Sequence, residues 1–487
     1  MANHLDLDKL IQALSDSRVH AGLATEVTSV VVDSRRAETG SVFVALRGER
    51  VDGHLYVQDA FDRGAIAAVV ESDQGCGTVL DLGRSDLDLT QVVPPVCLLV
   101  EDSLEALQRA AGWWRAQFDV RVIGITGSVG KTTTKELVAS VLARRYNVLK
   151  SKGNYNNEIG LPLTLLELDD TYECVVLEMG TYGPGEITLL AKLARPQVGI
   201  VTNVGPVHLE RMGTIERIAE AKAELLVSLP ADGVAILNQD DERVRAMASQ
   251  TEARAFSYGL EPGADLWADE IESHGLDGVR FRMHYVSPRG REEAVYVHLP
   301  LLGRHSVHTA LRAAAVGQIE GLSWDEILSG LSVGEQLRLF VVPGVNGSTL
   351  LDDTYNSSPD SAIAALNLLG ELSGRKIAVL GDMLELGGYE TEGHVRVGRR
   401  AMDAVSILIT VGDLGRLIGR GALEYGMAHE RVVHLEDNEA AIVHLQDLIE
   451  PGDTVLVKGS RGMRMEEIVE ALARLPANGL VQDEEDL

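Results

Sequence analysis

Very little of this sequence is aromatic. At 4% Phe, Trp and Tyr, the chain has little of the flat surface on which single-stranded nucleic acid stacks. Positive charge is also short: 44 Lys and Arg stand against 73 Asp and Glu, a formal net charge of −29. That balance excludes general binding to nucleic acid or to an anionic membrane, both of which attract basic surfaces. Any anionic substrate must then be met by local positive groups that override the overall field. The cysteines number three, Cys76, Cys97 and Cys174. Their spacing suits neither a metal pair nor a redox pair, so a disulfide framework is not expected and a reducing compartment is. The opening MANHLDLDKLIQAL has no basic stretch before an apolar core, so no signal peptide is expected. No apolar run is long enough to span a bilayer. Together these absences leave a cytoplasmic globular protein.

What is present is an ordinary apolar fraction, 45%, in a chain of 487 residues, enough for about three domains. In the first segment short strands are expected at Thr28–Asp33, Ser41–Leu46 and Ala65–Val70. A long surface loop is expected over 71–95, where Gly, Asp and a Pro-Pro pair collect. A helix from Ser103, as N-cap, to Phe118 leads out of this segment. The second segment opens with the apolar run Val120–Thr126, then a Gly-rich loop, then a helix over Thr134–Arg145. Further strands are expected at Cys174–Leu177, Val198–Thr202 and Val234–Leu237. Alternation of strand and helix implies a parallel sheet covered by helices. The period-two stretches Gly278–Tyr285 and Glu293–Leu299 suggest an antiparallel excursion, followed by helices at His305–Ile319 and near Trp324. The third segment repeats the alternation, with strands at Thr349–Asp352, Lys376–Leu380, Ile407–Val411 and Thr454–Lys458, a second doubly wound sheet.

The loop Gly127-Ser128-Val129-Gly130-Lys131-Thr132-Thr133 lies between a strand and a helix. Its glycines let successive N–H groups turn toward phosphate oxygens, and the helix N-terminus adds its positive dipole end. Lys131 would reach the β- and γ-phosphates of a nucleotide, and the Thr132 hydroxyl would ligate Mg²⁺. The generic GxxxxGK[ST] spacing is not met: the loop is one residue too long from Gly124 and too short from Gly127.

The segments around this loop carry a more specific signal. ITGSVGKTTTKE, KGNYNNEIGLPLTLL, LEMGTYGPGEI and TNVGPVHLERMGTIERIAEAKAELL follow in order, and together they resemble the central domain of the Mur ligases. The third-segment motifs DDTYNSSPDS, GDMLELG and KGSRGMRMEEIV, with VDSRRAETGSVFVALRGERVDGH near the start, are similar to the branch of that family that adds a dipeptide. The resemblance implies an α/β protein of three domains. Residues 1–118 would hold a UDP-sugar. Residues 119–332 would bind ATP through a P-loop parallel sheet with an antiparallel excursion. Residues 333–487 would form a Rossmann-like doubly wound sheet for the incoming amine. The implied activity is ATP- and Mg²⁺-dependent amide-bond formation between UDP-N-acetylmuramoyl-tripeptide and D-alanyl-D-alanine, by a monomer.

By the same resemblance Thr132, Glu178, His208 and Lys222 hold metal, with Lys222 carried as a carbamate because an ammonium would repel Mg²⁺. Lys222 has Ile218, Ala219, Leu225 and Leu226 as its helical neighbours, so it lies on an apolar face. Arg338 and Asp353 would meet ATP beyond the loop. Ser34 and Arg35, with the loop Arg47–Gly53, would meet the UDP end. Asn156 and Asn157 would meet the muramoyl peptide. Lys458, Ser460 and Arg461 would meet the dipeptide carboxylate. In GRHSVHTALRAAA the family's two asparagines near adenine are replaced by Ser306 and Thr309. Two other readings stay open here: a related ligase adding one amino acid, and a P-loop ATPase that ligates nothing.

Overall fold

The computed structural model describes residues 4–15, 25–48, 51–73, 75, 78–84, 92–287, 289–333 and 339–474. Among them the strands form three sheets, of five, nine and six strands. In the five-stranded sheet Val30–Val31, Val42–Val44, Ala67–Val70, Val96–Leu99 and Thr78–Asp81 lie side by side in that order, all parallel. The last of these corrects an expectation: 71–95 is not all loop. Thr78–Asp81 is an edge strand bonded only to Val96–Leu99. Its four residues show no hydrophobic alternation, so only tertiary pairing makes it a strand.

The helix Ser103–Arg115 leaves this sheet for the next. Asp102, not Ser103, caps it, accepting from the Glu105 N–H at 2.8 Å. Arg115 at its end is buried and donates to the carbonyls of Ala194, Phe118 and Val120 at 2.9, 2.8 and 3.2 Å. One apolar cluster takes in Val42, Val69 and Leu98 of the first sheet, Leu107 and Trp114 of this helix, and Val122, Val175 and Leu177 of the second sheet.

In the nine-stranded sheet Arg121–Thr126 lies between Cys174–Glu178 and Val198–Val201, and the strands from Val148–Lys150 to Leu266–Ser273 are parallel. Val279–Val286 and Glu292–Leu299 continue the sheet antiparallel, the expected excursion. Because the chain runs outward on both sides of Arg121–Thr126, the carboxyl end of that strand is a topological switch point, where such sheets leave a crevice. The phosphate loop sits there.

The third sheet runs Phe340–Pro343, Thr349–Asp352, Thr454–Lys458, Lys376–Leu380, Ile407–Val411 and Val432–Leu435, parallel except for the first pair. It has its own crevice where Thr454–Lys458 separates Thr349–Asp352 from Lys376–Leu380. The two crevices face each other. No helix among the described residues is long and apolar enough to cross a membrane.

Candidate active site

The phosphate loop keeps its shape through contacts to the loop after Val198–Val201. Asn203 accepts from the Ser128 N–H through its carbonyl at 3.0 Å and from the Val129 N–H through its side chain at 2.9 Å. The Thr202 hydroxyl donates to the Val129 carbonyl at 2.7 Å. Gly127 has φ 148°, and a Cβ there would lie 1.8 Å from the Thr202 hydroxyl, so no other residue fits. Gly130 is left-handed at φ 83° and caps the helix Lys131–Leu142. The helix therefore begins three residues before the expected Thr134, which puts Lys131, Thr132 and Thr133 in its first turn. The Lys131 ammonium folds back to the Gly127 carbonyl at 3.0 Å.

Glu178 ends its strand at the same crevice and is 2% exposed. One carboxylate oxygen accepts from the Thr132 hydroxyl at 2.8 Å and the other from the Asn156 amide at 2.8 Å. Among the described residues no lysine or arginine pairs with it. A buried carboxylate beside a hydroxyl, with no protein counter-charge, is a hard-oxygen donor set that suits Mg²⁺. No three His, Cys, Asp or Glu among the described residues cluster as a metal site of their own, so phosphate oxygens would have to complete this one. Asn156, expected at the peptide, is thus also the residue that orients Glu178. Asn157 accepts from the Ile159 and Gly160 N–H groups at 3.2 and 2.8 Å and shapes the same loop.

Lys222 lies on the buried face of the helix Ile215–Val227, 4% exposed. Among the described residues its amine makes no hydrogen bond or ion pair. Burial, with the nearby charge of Lys131, holds it well below the usual ammonium range. It lines a cavity of about 340 Å³ with Lys131, Asn156, Asn157 and His208. His208 has left-handed backbone, φ 53°. Its Nδ1 meets a Glu385 carboxylate oxygen at 2.5 Å, and its ring stands edge-on to Tyr182 at 4.7 Å. Burial lowers the imidazole below its ordinary range, and Glu385 pulls the other way.

A second cavity, about 420 Å³, lies between the two crevices. One wall is the phosphate loop with Glu178 and His208. The other is Asp353, Glu385, Lys458, Ser460 and Arg461. Here the structure is more specific than the sequence. Lys458 is buried and spans Asp353 at 2.7 Å and the Asn356 carbonyl at 2.7 Å, so its charge is already matched. Ser460 accepts from the Leu384 N–H at 2.8 Å and ties two loops together. Arg461, with its guanidinium 5.9 Å from the Tyr355 ring centre, is the cation of this trio that faces the opening. Ser306 and Thr309 line the cavity too. The Ser306 hydroxyl donates to the Leu302 carbonyl at 2.7 Å, and the Thr309 hydroxyl accepts from Arg312 at 2.8 Å.

The positions expected to meet UDP lie apart from this centre, in the first sheet's domain. Ser34 is buried, and its hydroxyl bonds Asp59 and helps hold that carboxyl below its usual value. Arg35 is forked onto Asp33, with contacts of 3.0 and 2.6 Å. Its neighbour Arg36 reaches the Tyr155 hydroxyl at 2.8 Å and so joins this domain to the loop bearing Asn156. Arg338 lies outside the described residues, as do 49 and 50 of the loop Arg47–Gly53. Sequence reasoning missed Glu385. Its motif GDMLELG stood out, but nothing in the pattern pointed to a partner 177 residues away.

Known proteins share this architecture. Residues 125–317 match the sequence model of the Mur ligase middle domain, 337–461 that of the Mur ligase glutamate ligase domain, and 26–93 that of the Mur ligase family catalytic domain. UDP-N-acetylmuramoyl-tripeptide–D-alanyl-D-alanine ligase of Bacillus subtilis is 37% identical over 93% of this chain and 94% of its own length. A crystal structure of MurF from Acinetobacter baumannii superposes with a TM-score of 0.82 at 30% identity, covering 96% of this chain and 98% of that one. The ADP complex of the MurF ligase from Thermotoga maritima gives 0.75 at 28% identity, over 91% and 97%.

Proposed function

This chain belongs to the Mur ligase family, and on that premise we propose that it joins D-alanyl-D-alanine to UDP-N-acetylmuramoyl-tripeptide, converting ATP to ADP and phosphate. The observation that carries this reading is the pairing of two crevices across one cavity. A phosphate loop with a buried carboxylate, Glu178, faces a third domain bearing Arg461. The tripeptide's terminal carboxylate attacks the γ-phosphorus, ADP leaves, and an acyl phosphate forms. The dipeptide amine then attacks the acyl carbon, phosphate leaves, and the proton shed by nitrogen passes to solvent or base.

Each residue has a physical task in that sequence. The loop N–H groups and Lys131 bind the nucleotide phosphates and offset charge on the group in transfer. Thr132 and Glu178 would hold one Mg²⁺, with His208 and Lys222 at a second. Bound Mg²⁺ screens the repulsion between carboxylate and triphosphate. An uncharged Lys222 amine can take up CO₂ and release a proton, giving a carbamate whose oxygens suit a hard cation. Asn156 positions Glu178, Arg461 offers a charge-assisted bond to the dipeptide carboxylate, and Asp353 holds Lys458 in the cavity wall. The three segments 1–118, 119–332 and 333–487 take the UDP end, ATP and the amine respectively. A cytoplasmic site and a monomer are part of the same proposal.

The test is phosphate release with saturating ATP, UDP-N-acetylmuramoyl-tripeptide and one amine at a time. Release should require the tripeptide and D-alanyl-D-alanine, and should be weak with D-alanine, L-lysine or D-glutamate. A site built for the dipeptide leaves polar groups unpaired with a single amino acid, at about 1–3 kcal/mol per group. A better rate with one amino acid and a shorter acceptor would make the chain a related ligase. Release indifferent to any UDP-sugar peptide would leave only an ATPase.

A further inference from the structure

We propose that Glu385 sets the imidazole of His208 across the domain interface, so that the second cation site is complete only when the third domain is seated on the central one. This rests on the reading of His208 as a metal-site residue. A carboxylate only accepts, so the 2.5 Å contact to Glu385 puts the His208 proton on Nδ1 and leaves the Nε2 lone pair for a cation. Without Glu385 either tautomer is open to the ring.

The contact is not an ordinary surface ion pair. Both residues are left-handed and neither is glycine, with φ 53° at His208 and 63° at Glu385. Such conformations persist only where the surroundings over-determine them, and they collect at functional sites. The surroundings here do so. In the third domain the Gly381 N–H donates to the Lys458 carbonyl at 2.9 Å, the Met383 N–H to His394 Nε2 at 3.0 Å, and the Leu384 N–H to Ser460 at 2.8 Å. The Asp382 carboxylate accepts from the Gly415 N–H at 2.7 Å. The loop therefore delivers Glu385 as a fixed arm. On the central domain the Glu210 N–H donates to the Glu385 carbonyl at 3.3 Å. A Cβ on Gly387 would come within 3.0 Å of the Glu210 nitrogen, so the two backbones touch. Main chain and side chain together make one latch, and its side-chain half ends on the imidazole. Glu385 is thus a positioning residue, and seating of the amine-binding domain is coupled to the geometry at His208.

The experiment measures Mn²⁺ binding to the full chain with ADP and UDP-N-acetylmuramoyl-tripeptide, from the electron paramagnetic resonance of free Mn²⁺. Wild type, Glu385→Ala, Glu385→Gln and His208→Ala are compared, with thermal midpoints as a check on folding. Glu385→Ala should weaken one of two Mn²⁺ classes about tenfold or more and leave the class at Thr132 and Glu178 unchanged. Glu385→Gln should retain most of the affinity, since its amide oxygen still accepts from Nδ1. Loss of both classes together would mark a general structural role and overturn the inference. So would unchanged binding in Glu385→Ala while His208→Ala loses one class. Unchanged binding in His208→Ala would instead overturn the metal assignment on which the inference rests.

Discussion

Lys131 and Lys222 line one cavity of about 340 Å³, and burial, with the charge of the first, holds the second well below the usual ammonium range. The two lysines therefore differ in surroundings although they are neighbours. One stands at the head of a helix and bonds the Gly127 carbonyl. The other is buried on an apolar face, with no hydrogen bond or ion pair among the described residues.

Lys131→Ala should lower ligation by roughly 10²- to 10³-fold, the range found when one preorganised electrostatic contact to a transition state is removed. Lys131 is half-buried on a cavity wall, so trimming it opens no void in the core and the thermal midpoint should hold. The check is kcat from phosphate release alongside a melting curve. Near-normal turnover would remove Lys131 from the chemistry.

Lys222→Ala should lose most activity while binding ATP as before, and a short added carboxylic acid should restore part of it. In the unaltered enzyme, removing CO₂ and bicarbonate should slow turnover reversibly. Turnover indifferent to CO₂ would mean that the amine itself, not a carbamate, is the working form.

Arg115→Met should destabilise the protein by several kcal/mol. The change strands the carbonyls of Phe118, Val120 and Ala194 in a buried place, and each costs about 1–3 kcal/mol when left dry. Urea titration should show a lower midpoint, with an unchanged slope, for the transition that unfolds the first two sheets. A midpoint equal to wild type would mean that water replaces the guanidinium.

His394 should make stability sensitive to acid. Its Nδ1 donates to the Glu390 carbonyl at 2.6 Å and its Nε2 accepts from the Met383 N–H at 3.0 Å, so the folded protein needs the neutral ring. Burial keeps its pKa below the ordinary 6.5. The unfolded chain then binds a proton that the folded one refuses. The full contribution is present above pH 6.5 and is lost as pH falls through the depressed folded value. His394→Gln, lower in absolute stability, should show a shallower fall of melting temperature between neutral and acidic pH. Parallel curves would assign the acid sensitivity elsewhere.

Four of the six strands of the third sheet were legible to the residue: Thr349–Asp352, Lys376–Leu380, Ile407–Val411 and Thr454–Lys458 are near-continuous apolar runs, whereas the edge strands Phe340–Pro343 and Val432–Leu435 were not read. The turn from the strand Arg121–Thr126 into the next helix was legible from its glycines, and the buried face of Lys222 from helical spacing alone. Thr78–Asp81 was not, since a short edge strand owes its existence to its neighbour. The exact start of the helix at Lys131 was hidden because the left-handed Gly130 that caps it looks, in sequence, like one more loop glycine. The match of Lys458 to Asp353, and of His208 to Glu385, joins residues on different loops, and no local pattern encodes such a meeting.

The apolar cluster that runs from Val42 through Trp114 to Leu177 has a consequence for how the chain comes apart. The first and second sheets cannot be separated without exposing a shared core, whereas Val379, Ile409 and Val455 of the third sheet pack in a cluster drawn from that sheet's own domain. Three sheets thus amount to two cooperative blocks. Denaturant should melt the block of the third sheet by itself, while the other two sheets stay folded together and are lost in a single later step.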